Sequence, residues 1–277
     1  MGNVYQCVGR YAQEPYIFKI TMTRVYCIEE LCFYMVKNAD ILDEHFASME
    51  LVGWIEDECG LPELARKLKG VLRTSIKPES FVRTILEELC YIDEKEMKEL
   101  ERVIRSGRLL SGKQREKVLA DYFLHNKNYA LAFRAYEDWL ANNEDAEDAE
   151  KAAVYKCLGT VYARLFYFAD AAEMYDMAYR LCGDDDSMLH FLIAKRMELD
   201  EKGYLKFINT LPEDFPLLVD AEKLIEKAEE QYKKTETAVR LSGLDKMKMS
   251  TKRQEFEDLS AWYVDSEMDA FRDHMIE

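Results

Sequence analysis

Two columns of polar side chains are the residues best placed to do chemistry in this chain. Lys117, Asp121 and His125 follow one another at i, i+4, i+8, and so do Lys156, Thr160 and Arg164. On an α-helix that spacing stacks a trio along one face, with a residue on each successive turn. Side by side, the columns would make a polar, partly basic wall able to hold an acidic or carboxylate-bearing peptide by charge and hydrogen bonding, and His190 would extend it if a third helix followed. The same residues also fit plain solvated helix surface. For bond-making chemistry the sequence offers little. His45, His125, His190 and His274 are scattered, without HExxH, a Gly-rich phosphate loop, GxSxG or a Cys-Cys metal spacing. The fragments IEELC at 28–32 and LEELC at 86–90 pair glutamates, which is common on exposed helix faces. Cys32 and Cys90 have no basic neighbour within a helical turn to lower a thiol pKa, so both are expected to be core thiols. Neither catalysis, nor a metal, nor a cofactor is expected.

The elements that must position these columns are helix pairs. Residues 152–185 read AAVYKCLGTVYARLFYFADAAEMYDMAYRLCGDD. Tyr155, Leu158, Gly159 and Tyr162 give an aromatic-x2-Leu-Gly-x2-Tyr spacing over a first helix, and Ala171, Tyr175 and Ala178 an Ala-x3-aromatic spacing over a second. Gly159 and Ala171 leave room for close approach while the tyrosines fill the space beside them. The pattern resembles the tetratricopeptide repeat. That resemblance implies two antiparallel helices, about 152–165 and 169–181, stacked with neighbours into a short α-solenoid whose first helices line a concave binding face. Gly183 stands where the repeat pattern prefers proline. Residues 113–146 form a weaker copy, carrying Leu119, Ala120 and Phe123, then Tyr129, Ala132, Tyr136 and Trp139; residues 186–211 form a degenerate third. Repeats of this family that clamp a terminal carboxylate use asparagine beside lysine, and Asp121 and Thr160 stand at those places, so that clamp is not implied.

The rest of the chain is mostly helical text. Val4–Val8 and Tyr16–Thr21 are short β-like runs that predict a small hairpin. From Ile28 the spacing turns helical, with Leu31, Tyr34 and Met35 on one side. Ser48 is placed to cap a second helix ending near Gly60, Pro62 and Pro78 fit first helical turns, and Asp93 with Glu96 has capping-box spacing. Residues 1–106 thus form a helical bundle with a short hairpin. The segment SGRLLSG at 106–112 is the expected joint to the repeats at 113–211, and the acidic run 142–150 reads as a solvated linker. Pro212 and Pro216 precede a charged helix over 217–239, whose Leu218, Ala221, Leu224, Ile225, Ala228 and Tyr232 share one face and would cap the stack. An amphipathic stretch with Phe256, Leu259, Trp262, Tyr263, Met268 and Phe271 follows, so 217–277 reads as a capping helix and a C-terminal amphipathic segment that packs on the body or is offered to a partner. The stretch YIFKITMTRVYCIEELCFYM also resembles the N-terminal part of uncharacterised proteins of Gram-positive anaerobes, implying a bacterial chain.

Composition narrows the function class. The 277 residues are 48% hydrophobic, with only 11 Gly and 5 Pro, which suits a mainly helical, all-α fold with a real core. A formal charge of -16 repels phosphate backbones, so nucleic acid is not an expected partner. Seven cysteines without regular spacing predict thiols in a reducing cytoplasm. No stretch resembles a leader or a membrane span, and Gln6 stands where an acylation signal wants Ser or Thr. These features favour a cytosolic adaptor that binds a peptide or helix of a protein partner. A peptide-sensing regulator of repeat type and an enzyme of unfamiliar type in the first hundred residues are the alternatives.

Overall fold

The amino-terminal hairpin is built from the second expected run and the residues just after it. The structure, a computed structural model describing residues 8–43, 45–74, 77–212, 215–248 and 253–276, pairs β1 (Tyr16–Phe18) with β2 (Thr23–Val25) antiparallel, Tyr16 opposite Val25. Of the other run, 4–7 lie outside the described residues and Val8 is not in a strand. Pairing is local because Lys19–Met22 reverses the chain, with Met22 at φ 56°, and a short loop closes at little entropic cost.

Five helices then wrap the buried face of the hairpin: α1 (Ile28–Lys37), α2 (Met49–Asp57), α3 (Pro62–Thr74), α4 (Pro78–Glu88) and α5 (Glu94–Arg108). Their starts follow the caps expected of them. The Ser48 hydroxyl accepts from Leu51 N, and Asp93 with Glu96 closes a reciprocal capping box. Phe18 stacks on Tyr34 with ring centroids 3.9 Å apart and lies beside Phe46, and the core continues through Leu31, Ile55, Leu68, Phe81 and Ile104. Glu79 is buried where Arg108 reaches it from α5 at 3.2 Å, so this carboxylate is paired, as burial of a charge requires. Cys32 lies in this core, and burial, with Glu29 adding to it, pushes its thiol pKa up. Cys90 does not: it is exposed at φ 49°, just past the end of α4, because the helix has finished before the chain reaches it.

The Gly- and Ser-bearing segment after this bundle is more structured than a joint need be. Ser106, Gly107 and Arg108 complete α5, and a Cβ at Gly107 would stand 2.2 Å from the backbone oxygen of Asp40. Only glycine allows that approach. Ser111 then opens α6 (Gly112–His125) through a capping box with Gln114.

Next come α7 (Tyr129–Asn142), α8 (Asp148–Arg164) and α9 (Phe168–Cys182). Asp121 meets Tyr136 while Lys113 meets Trp139, so α6 and α7 run antiparallel. Thr160 meets Tyr175 while Cys182 meets Asp148, so α8 and α9 do the same. Between the pairs, Lys113–Glu150 and Asp121–Cys157 are 37 and 36 residues apart, and this nearly constant step makes α6 and α8 parallel. The result is two consecutive packed helix pairs, an arrangement compatible with a helical repeat. A second hydrophobic cluster, with Ala120, Ala132, Tyr136, Trp139, Val154 and Leu158, fills them. A Cβ on Gly159 would lie 2.8 Å from the Tyr175 ring, which explains the glycine.

The described chain divides into two compact units, Met1–Gly183 and Asp184–Glu277. The second holds α10 (Asp185–Glu198), α11 (Glu201–Ile208), α12 (Pro216–Lys233), α13 (Glu236–Lys248) and α14 (Arg253–Ile276). Phe191 and Phe207 join α10 to short α11 edge to face, and Tyr204 hydrogen-bonds Glu222 of α12 at 2.8 Å. The single helix expected over 217–239 is two helices. The hydroxyl of Thr235 bonds Tyr232 O and then accepts from Ala238 N, ending one helix and capping the next. Among the described residues no helix is long and apolar enough to cross a membrane.

Candidate functional site

Asp121 is the hub of the first column. One carboxylate oxygen accepts from Lys117 Nζ at 2.7 Å, and the other from Tyr136 OH at 2.6 Å with Cys157 Sγ 3.9 Å away. A single half-buried acid thus ties α6 to α7 and α8. Tyr136 is fully buried, and its pKa is raised by burial first, then by Cys157 and by its donation to Asp121, so the phenol remains a donor. Cys157 is likewise held up, by burial and then by Asp121. Neither is an activated nucleophile.

Thr160, the matching residue of the second column, donates to Lys156 O at 3.0 Å and meets Tyr175 OH at 3.1 Å. In both pairs the column's central residue therefore turns inward onto a tyrosine 15 positions later. What remains toward solvent is the ends of the columns. Lys117 and Lys156 are half-buried, whereas His125 and Arg164 are exposed. His190 lies on α10 in the second unit, half-buried, with its Nδ1 2.7 Å from Asp186 O one turn back.

The column on α6 does not face open solvent alone. Val118, Asp121, Tyr122, His125 and Asn126 form one wall of a cleft of about 670 Å³, and Thr23, Arg24, Phe33, Tyr34, Lys37 and Asp40 are among the residues of the other. Thr23 Oγ1 and Tyr122 OH, 2.9 Å apart, join the walls. Phe33 is 57% exposed despite its size, and Lys37 Nζ sits 5.8 Å from its ring centroid. Arg24 and Lys37 are exposed as well. Glu30 is occupied, because its carboxylate accepts from Tyr26 N at 2.6 Å. The cleft therefore offers aromatic surface, the exposed cations Arg24 and Lys37 and an imidazole, with the exposed carboxylate of Asp40 beside them.

Reading the sequence placed Lys117, Asp121 and His125 on one face and missed Phe33, Lys37 and Arg24 opposite them. The signal was present in Phe33, a large apolar side chain off the stripe of Leu31, Tyr34 and Met35. Among the described residues no group of three or more His, Cys, Asp or Glu could hold a metal ion. Comparison with protein-family models, with curated proteins and with solved structures finds no match to this chain.

Proposed function

We propose that this chain is a protein-interaction module of tetratricopeptide type, which holds a short segment of a cytoplasmic partner protein in the cleft between α6 and the N-terminal bundle. The observation that carries the reading is that cleft. It has the volume of an ordinary ligand site, about 300–1,000 Å³ for such sites in general, and it sets the outward end of the α6 column against exposed Phe33, Arg24 and Lys37. An apolar anchor of the segment stacks on Phe33, and its carboxylates face Arg24, Lys37 and His125. The antiparallel pairs, with Gly159 under Tyr175, support the tetratricopeptide reading, and the cysteines without a pairing pattern support a reducing compartment.

The test is selection of binders from a library of short randomised peptides against the full chain, followed by titration of the best one. Enrichment of acidic peptides with an aromatic or large aliphatic anchor is expected. Reversing Arg24 and Lys37 to Glu together should then weaken binding by at least about tenfold, or about 1.4 kcal/mol. Binders that ignore this double change would overturn the assignment. A second reading, a peptide-sensing regulator, is favoured by the Thr23–Tyr122 hydrogen bond, which ties the bundle to α6 beside the cleft.

A further inference from the structure

The turns inside the two helix pairs share one backbone and differ in chemistry. Lys127 at φ 60° and Phe166 at φ 64° occupy the same left-handed slot. Lys127 N bonds Leu124 O at 3.1 Å and Asn128 N bonds Phe123 O at 2.8 Å; Phe166 N bonds Ala163 O at 3.1 Å and Tyr167 N bonds Tyr162 O at 3.0 Å. The first turn, Asn126-Lys127-Asn128, is polar: Asn126 bonds back to Tyr122 O, and Asn128 caps α7 through Leu131 N. The second, Leu165-Phe166-Tyr167, has no side-chain cap and is exposed at all three positions, Phe166 by 79%. A bulky aromatic residue in left-handed backbone is strained, and exposing it gains nothing from the hydrophobic effect. The Phe168 ring, edge to face at 5.9 Å, props it outward.

The same chain carries a receptor of matching chemistry. A pocket of about 400 Å³ opens beside β1, floored by the Phe18–Tyr34 stack and Phe46. Its rim includes Ile17 and Ile20, which are 42% and 50% exposed. At its side the hydroxyls of Tyr16 and Ser48 lie 3.5 Å apart, placed to meet a phenol. Arg164 and Asp170 flank the turn, and the pocket is lined by Lys19, Asp43, His45 and Glu50, so the carboxylates Asp43 and Glu50 are available to Arg164 and Lys19 to Asp170. We propose that the Leu165–Tyr167 turn of one molecule inserts Phe166 into the β1 pocket of a second copy of this chain. Turn and pocket are different surfaces, so the contact is head to tail and builds open chains or rings. A contact centred on one side chain is small, and the association is weak and concentration-dependent.

The test is sedimentation equilibrium of the full chain over a concentration series at physiological ionic strength. The wild type is expected to rise above monomer mass with concentration, and Phe166→Asn to remain monomeric. Phe166→Asn should also raise the melting temperature by a few degrees, since asparagine suits left-handed backbone; Phe166→Gly serves as a second variant of the same kind. A pocket variant, Ile17→Lys with Ile20→Lys, should also be monomeric alone but form a one-to-one dimer when mixed with Phe166→Asn. A wild type that stays monomeric throughout, association that survives both Phe166 variants, or a mixture that stays monomeric would each overturn the proposal.

Discussion

The two helix pairs solve one packing problem with different residues. In α6–α7 the small residue at the crossing is Ala120, the inward polar group is Asp121 and the second helix brings Trp139; in α8–α9 the matching residues are Gly159, Thr160 and Ala178. The first pair fills its interior with an indole whose Nε1 donates to Lys113 O at 2.7 Å, and charges its tyrosine contact. The second brings its helices closer, with glycine under a tyrosine ring, and keeps that contact neutral. Backbone and hydrogen-bond positions persist while volume and charge are exchanged within each pair. The two pairs are therefore held by a geometric relation between positions more than by particular residues.

The two fillings predict different costs, packing changes first and polar contacts after them. Trp139→Ala should be the most damaging, at about 3–5 kcal/mol, because it empties a buried site and removes the indole's hydrogen bond to Lys113 O. Chemical denaturation would measure it, and a loss under about 1 kcal/mol would mean that α7 can collapse into the space. Gly159→Leu should cost about 1–3 kcal/mol by overpacking against Tyr175. Ala120→Gly, which opens the first pair instead, should cost no more than about 1 kcal/mol through helix propensity. If Gly159→Leu left the melting curve unchanged, the close approach in the second pair would be refuted.

Asp121→Ala strands the buried Tyr136 hydroxyl and should cost about 1–3 kcal/mol, whereas Thr160→Val should cost about 0.5–1.5 kcal/mol. Equal losses would show that the charge on Asp121 adds nothing. The smallest effect on stability belongs to Lys156→Glu with Arg164→Glu, expected within about 0.5 kcal/mol because these side chains reach solvent. The same double change should weaken an acidic peptide in a salt-dependent way through the field along α8. Unchanged binding at low salt would confine recognition to the α6 side.

Much of this was legible in the sequence because it depends on neighbours along the chain. Caps at Ser48 and Asp93, first-turn prolines at Pro62 and Pro78, and the Gly159–Tyr175 approach all follow from short spacings. What escaped depends on distant segments or on small local competitions. The partner of β1 was set by a four-residue reversal at Lys19–Met22, and the break at Thr235 by one hydroxyl. Gly107 looked like a hinge, because only the fold brings the Asp40 carbonyl onto it. The cleft could not be read at all from residues 113–185, since most of its lining comes from residues 23–40. Phe271, assigned to an amphipathic face, lies beyond the described side chains.

The proposed position of a partner segment is the cleft between α6 and the N-terminal bundle. Amide and methyl resonances of the full chain, followed while a selected acidic peptide is titrated in, test it most directly. Shifts should centre on Phe33, Lys37, Val118, Tyr122 and His125, with little change along α14. Shifts centred on Leu259, Trp262 and Met268, with the cleft residues unmoved, would contradict it.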